Sequence, residues 1–233
     1  MSLAPFHARL VGAMPGGKRT DRISERDLEV LEFIARFGVV PRTAVATWAG
    51  TARTVTSARE RRLREAGLVK IMPGIGDSGL LVACTRAGLR ACGRDDLRPP
   101  RLTISAVRHE SVVARLAARL ELDGDRLLSE REILARERAE GQRLLSAPLP
   151  GGRYHRADLV RMDESGTVAE AIEVELTPKG ATRLDELLRA WRRAVVERRV
   201  AQVVYRCTSH TKPFVERAIE RTRTAAAISI EEL

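Results

Sequence analysis

The stretch from His155 to Gly180, HRADLVRMDESGTVAEAIEVELTPKG, decides the fold of the second half of this chain. Two runs of strand-forming residues flank Asp163-Glu164-Ser165-Gly166, a turn signal that lays them side by side. Side chains alternate along a strand, so Ile172, Val174 and Leu176 point one way and Glu173 and Glu175 the other. Asp158 lies on the preceding run. Three carboxylates would then converge on one open face beside Lys179. Hard divalent cations need that arrangement, and phosphodiester hydrolysis commonly uses it. Arg153, Arg156 and Arg161 are near enough to neutralise the same acids as surface pairs, so the pattern alone leaves both readings open.

Around this pair of strands, Thr103 to Leu122 reads as a long helix and Leu127 to Ile133 as a strand. Ala135 to Pro150 is polar and gives no clear pattern. A helix follows from Lys179 to about Arg198, then a strand at Val200–Cys207, a helix at Thr211–Thr224 and an edge strand at Ile228–Ile230. The expected order from residue 103 is α-β-β-β-α-β-α-β. In the helix after Lys179, Leu184, Leu187, Leu188, Trp191 and Val195 form a stripe that either packs on the sheet or makes a homodimer. In the long helix, His109 and Glu110 fall on the apolar side, where an ionisable group needs a partner. Glu110 is either a fourth carboxylate near Asp158 and Glu173, or it caps a neighbour or pairs with an internal arginine. His109 reads as a satisfied, partly buried histidine.

The first half has a different rhythm. Ser24 with Asp27 three residues on starts a helix that Gly38 ends. A short helix from Thr43 to Ala49 stops at Gly50, and a third from Thr54 to Ala66 stops at Gly67. Val69–Met72 and Leu80–Thr85 then flank a glycine-rich turn as a hairpin, and a short helix leaves it. That order is a winged helix-turn-helix. On the third helix Val55, Ala58, Leu63 and Ala66 are expected to face inward, and Arg53, Ser57, Arg61 and Arg64 outward with Glu60 among them. An arginine-rich outward face suits the phosphates and groove edges of double-stranded DNA, and equally describes an ordinary solvated surface.

Charge supports an anionic partner. The 233 residues carry 41 basic and 31 acidic side chains, a formal +10, with pI near 10.6. Residues 1–100 hold 17 basic and 10 acidic side chains, the remainder 24 and 21, so the excess is concentrated in the first half. Cys84, Cys92 and Cys207 show neither metal-ligand nor disulfide-framework spacing, which fits a cytoplasmic chain. No apolar run approaches the roughly 18 residues of a membrane span. The organisation expected is a flexible arm over 1–20, a winged-helix domain over 21–94, a polar linker over 95–102 and a second domain over 103–233.

The α-β-β-β-α-β core, with Asp158 on its second strand and Glu173-Val174-Glu175 on its third, resembles the PD-(D/E)XK nuclease superfamily. The chain as a whole is similar to the replication-relaxation family of plasmids and integrated mobile elements. The matching pieces are Arg108-His109-Glu110, Arg156-Ala157-Asp158 and Glu173-Val174-Glu175-Leu176-Thr177-Pro178-Lys179, within about residues 24–220. The resemblance implies an α/β protein with Mg²⁺ or Mn²⁺ held by Asp158 and Glu173 and supported by Glu110, with Glu175 or Lys179 orienting the attacking water. Glu175 stands where most of these nucleases have lysine, and Ala157 where many have proline. It implies a DNA-binding protein acting in replication or transfer, as a metal-dependent endonuclease. The alternative is a non-catalytic regulator or adaptor whose second domain binds DNA or a protein partner such as a relaxase or replication initiator.

Overall fold

Ser24 begins the ordered chain with a reciprocal cap. Its hydroxyl accepts from the Asp27 N–H (3.2 Å), and the Asp27 carboxylate accepts from the Ser24 N–H (3.0 Å). The structure is a computed structural model that describes residues 23–75, 79–100, 103–143, 145–166 and 168–233. The arm expected over residues 1–20 lies outside the described residues. The cap launches α1 (Glu25–Phe37), which ends at Gly38 in the left-handed region (φ 74°). A Cβ there would also press to 2.9 Å on the Arg131 guanidinium and 3.0 Å on the Glu110 carboxylate, so glycine suits the site twice over. Next come β1 (Val40–Pro41), α2 (Arg42–Ala49), α3 (Arg53–Glu65), β2 (Val69–Pro73), β3 (Leu80–Cys84) and α4 (Arg86–Ala91). Strands β2 and β3 form the expected antiparallel hairpin, and β1 adds to the far side of β3.

The inward face of α3 is turned by about one residue from the expected one, near 100° at 3.6 residues per turn. Thr56, Glu60 and Leu63 are buried, Ala58 is half-buried and Val55 is 48% exposed. Leu63 is the only large apolar anchor on this helix, so charge pairing sets its rotation. Glu60 turns inward to Arg42 of α2, while Arg59 and Arg62 reach the buried Asp27 at 2.7 and 3.1 Å. A periodicity count that treats charged residues as outward misses this.

The second half opens with α5 (Ile104–Leu122) and β4 (Arg126–Ser129). The strand expected over 127–133 stops at Ser129, because that serine and Glu132 form a second capping box and launch α6 (Glu130–Glu140). The stretch that had no pattern holds the end of α6 and the first strand of a two-stranded hairpin, β5 (Ser146–Leu149) and β6 (Arg153–Arg156). Then follow β7 (Leu159–Met162), β8 (Val168–Glu175), α7 (Ala181–Val196), β9 (Gln202–Cys207), α8 (Lys212–Thr222) and β10 (Ile228–Glu232). The order from 103 is therefore α-β-α-β-β-β-β-α-β-α-β, with a helix and a hairpin the sequence reading lacked. Strands β10-β9-β8-β7-β4 make one mixed sheet, parallel on the β10-β9-β8 side and antiparallel from β8 to β4. The β7–β8 connection has the expected turn, with the Gly166 N–H on the Asp163 carbonyl. Leu184, Leu187, Leu188 and Trp191 of α7 are buried in the core against the sheet rather than presented to a second copy.

Helix α5 joins the halves. Its Val113, Ala114, Leu116 and Ala117 belong to one apolar cluster with Leu31, Phe33 and Val45 before it and Leu159, Ile172 and Val174 after it. At its end, Arg36 of α1 reaches across to Glu121 (2.6 Å), to Glu132 (2.9 Å) and to the Leu127 carbonyl (2.8 Å). Burial alone would weaken the Arg36 charge, but Glu132 and Glu121 more than reverse that and raise its pKa. Trp48 Nε1 donates to Glu121 (2.8 Å) and Arg94 pairs with Glu132 (3.0 Å). Even the stretch expected as a linker sends Leu97 into the shared core.

Removing one member of a buried ion cluster strands the others, at about 3–5 kcal/mol. Arg36→Ala should therefore lower the unfolding free energy by about 3 kcal/mol or more in urea titrations. Arg136→Ala, which breaks only the exposed pair with Glu140, should change it by less than about 1 kcal/mol.

Candidate functional site

The acids of the opening stretch meet where β7 parts from β8. The pairing ends at Leu159–Ile172, and the break at Ala157–Asp158 that separates β6 from β7 leaves the next β8 amide without a strand partner. Asp158 supplies one: its Oδ2 accepts from the Val174 N–H at 2.7 Å. Its Oδ1 lies 2.8 Å from Nε2 of His109 on α5. On the opposite side of β8 from Ile172 and Val174, Glu173 has both carboxylate oxygens at 2.9 and 3.0 Å from Nε2 of His155 on β6. Trp191 Nε1 of α7 also donates to Glu173, at 3.0 Å. Glu175 is paired with Lys179, four residues on.

The face expected to be open is therefore covered. The Glu173 and Glu175 side chains are each 4% exposed, because α7 packs its apolar stripe on that side of the sheet. Alternation placed both glutamates on one face, but not which face the helix would cover. Tyr205, opposite Glu173 in the β8–β9 register, is fully buried there, and its hydroxyl has no partner among the described residues.

Glu110 does not join Asp158. Its carboxylate sits at Gly38 and Arg131, on the seam between α1 and α6. No ion pair or hydrogen bond ties it to that arginine, and its Oε2 is buried without a hydrogen-bond partner among the described residues. Burial pushes its carboxyl up to about 7, against the Arg131 charge and a hydrogen bond from the Val39 backbone. His109, one residue earlier and so about 100° round the helix, takes the place beside Asp158. Burial opposes its charged form, but the hydrogen bond and charge of Asp158, with the charge of Glu173, raise its pKa. His155 behaves alike: burial lowers, Glu173 and then Asp158 outweigh it, and the net direction is up. Glu175 moves up because burial exceeds the help from Lys179. His155 and Trp191 escaped the sequence reading, since β6 was not separated from β7 and Trp191 looked like plain core.

Mg²⁺ and Mn²⁺ want several free carboxylate oxygens within about 2.0–2.2 Å. Here each oxygen of Asp158 already has a partner and both oxygens of Glu173 face His155. Among the described residues no three His, Cys, Asp or Glu side chains are grouped to hold a metal ion. In this arrangement the donor set does not fit the expected cation, since two histidines, an indole, a backbone amide and a lysine already occupy the carboxylates.

The other candidate surface is on α3. Arg53, Arg61 and Arg64 are exposed and Ser57 is half-buried. Arg53 stands at the rim of a shallow depression lined by Thr43, Ala46, Thr47, Gly50, Thr51 and Leu122. The chain matches no protein-family model and no curated protein. The likeness to replication-relaxation proteins thus rests on the quoted motifs and the order of elements alone. No helix among the described residues is long and apolar enough to cross a membrane.

A carboxyl whose folded pKa lies above its unfolded value favours folding at low pH and loses that contribution as pH rises through the folded pKa. For Glu110 this window runs from about 4.5 to about 7. Glu110→Gln should therefore raise the melting temperature at pH 8 clearly more than at pH 5.

Proposed function

We propose that this chain binds double-stranded DNA, as a protein of the replication-relaxation kind acting in replication or transfer of a mobile element. Its first half docks as a winged helix-turn-helix, and its second half is a PD-(D/E)XK-like scaffold that grips the duplex without cutting it. One observation carries the DNA reading. Asp27 and Glu60 are turned inward onto Arg59, Arg62 and Arg42, which leaves Arg53, Arg61 and Arg64 facing outward with Glu65 as the one exposed acid of α3. A helix with that face, followed by a hairpin, suits the major groove and its flanking phosphates. The partners held by Asp158, Glu173 and Glu175 support gripping over cutting.

A second reading, a metal-dependent endonuclease, draws support from the gathering of Asp158, Glu173, Glu175 and Lys179 at one end of β8. Cleavage of supercoiled, linear and branched DNA with Mg²⁺ or Mn²⁺ separates the two. Wild type should leave all three intact; cutting that disappears in Asp158→Ala would replace the gripping scaffold with a nuclease. For the first half, Arg61→Ala/Arg64→Ala should weaken duplex binding and reduce the slope of log K against log salt by about 2, roughly 0.9 per lost phosphate contact.

A further inference from the structure

Helix α5 carries a row of arginines along its outer side. Ile104, Arg108, Arg115, Arg119 and Leu122 recur at steps of four, seven, four and three, which holds them on one side of the helix. Ile104 is 75% and Leu122 56% exposed, Arg108 and Arg119 are exposed, and Arg115 is half-buried. Neither Arg108 nor Arg119 has a side-chain partner among the described residues. The acids of the same helix point elsewhere, Glu110 to the seam at Gly38 and Glu121 to Arg36. Asp123, just past the helix end, is the exposed acid nearest in sequence.

The row lies along the base of the first half. Near its start, Val107 packs with Val39, Leu81 and Met72 of the three-stranded sheet. At its end, Glu121 receives the Trp48 N–H, and Leu122 shares with Arg53 the depression before α3. The outward row therefore runs from the hairpin side to the start of α3. From Arg108 to Arg119 it covers roughly 16 Å at 1.5 Å per residue. That length matches about five base pairs of duplex at 3.4 Å each.

We infer that this face of α5 is a second line of duplex-DNA contact, gripping the phosphate backbone beside the groove entered by α3. The inference rests on the DNA reading of α3 and extends it to a helix of the other half. Arginines spread along a line suit a repeating row of phosphates, and continuity with Arg53 places the line next to the same duplex. The bond that locks the halves then has a use: two contact lines on one rigid body fix the angle at which the duplex crosses the protein.

The test is fluorescence anisotropy of the full chain on random-sequence duplex DNA over a range of salt. It compares wild type, Arg108→Ala/Arg119→Ala, Arg61→Ala/Arg64→Ala, and Arg183→Ala/Arg192→Ala. The last pair is exposed on α7, which covers the opposite face of the sheet from α5. All six residues are at the surface, so melting temperatures should stay near wild type. The α5 variant should bind more weakly, with a salt slope smaller in magnitude by about 2, and the α7 variant should match wild type. An α5 variant indistinguishable from the α7 variant, while the α3 variant weakens, would overturn the inference and leave the DNA reading standing. No effect from either the α3 or the α5 variant would overturn both.

Discussion

A guanidinium taken out of water must meet its counter-charges, and Arg36 meets them across the chain from where it is made. It leaves α1 and ends between Glu121 of α5 and Glu132 of α6, with the Leu127 carbonyl beneath. Other groups of both halves gather at that bond. Trp48 and Arg94 approach the same two glutamates, and the apolar side of α5 continues one core into the next. With its ion cluster mostly sheltered from water and salt, this junction behaves as the interior of a single body rather than as a jointed linker.

The same rule orders the end of the sheet. Three carboxylates brought close together in a covered place repel one another and lose their water, so each needs a donor or a cation. Asp158 has the Val174 amide and His109, Glu173 has His155 and Trp191, and Glu175 has Lys179. In this structure each of them meets a side chain or backbone group of the chain itself.

Inward pairing also decides what the surface looks like. Asp27, Glu60, Glu121 and Glu132 are drawn to internal or seam arginines. The positive excess of the chain is thereby left on outward faces such as those of α3 and α5. Net charge in the sequence is a sum; the field that a partner meets depends on which members of that sum are already paired.

Glycine stops, serine caps and strand alternation are local, and they made much of the order legible in advance: three helices and a hairpin, α5, the β7–β8 pair with its turn, and α7 to β10. The misses were also physical. The capping box at Ser129 ended a strand early, and β6 was hidden in the run that holds Asp158 because only a break at Ala157–Asp158 divides them. By itself the sequence determined which residues share a strand face or a helix turn, since that follows from bond geometry within a few residues. It could set Glu173 and Glu175 together and put His109 next to Glu110. Only the tertiary structure decided that α7 covers those glutamates, that His109 and not Glu110 meets Asp158, and that Glu60 turns inward. Those outcomes depend on which distant partner can satisfy a buried charge, and nothing within one turn of helix or strand carries that information.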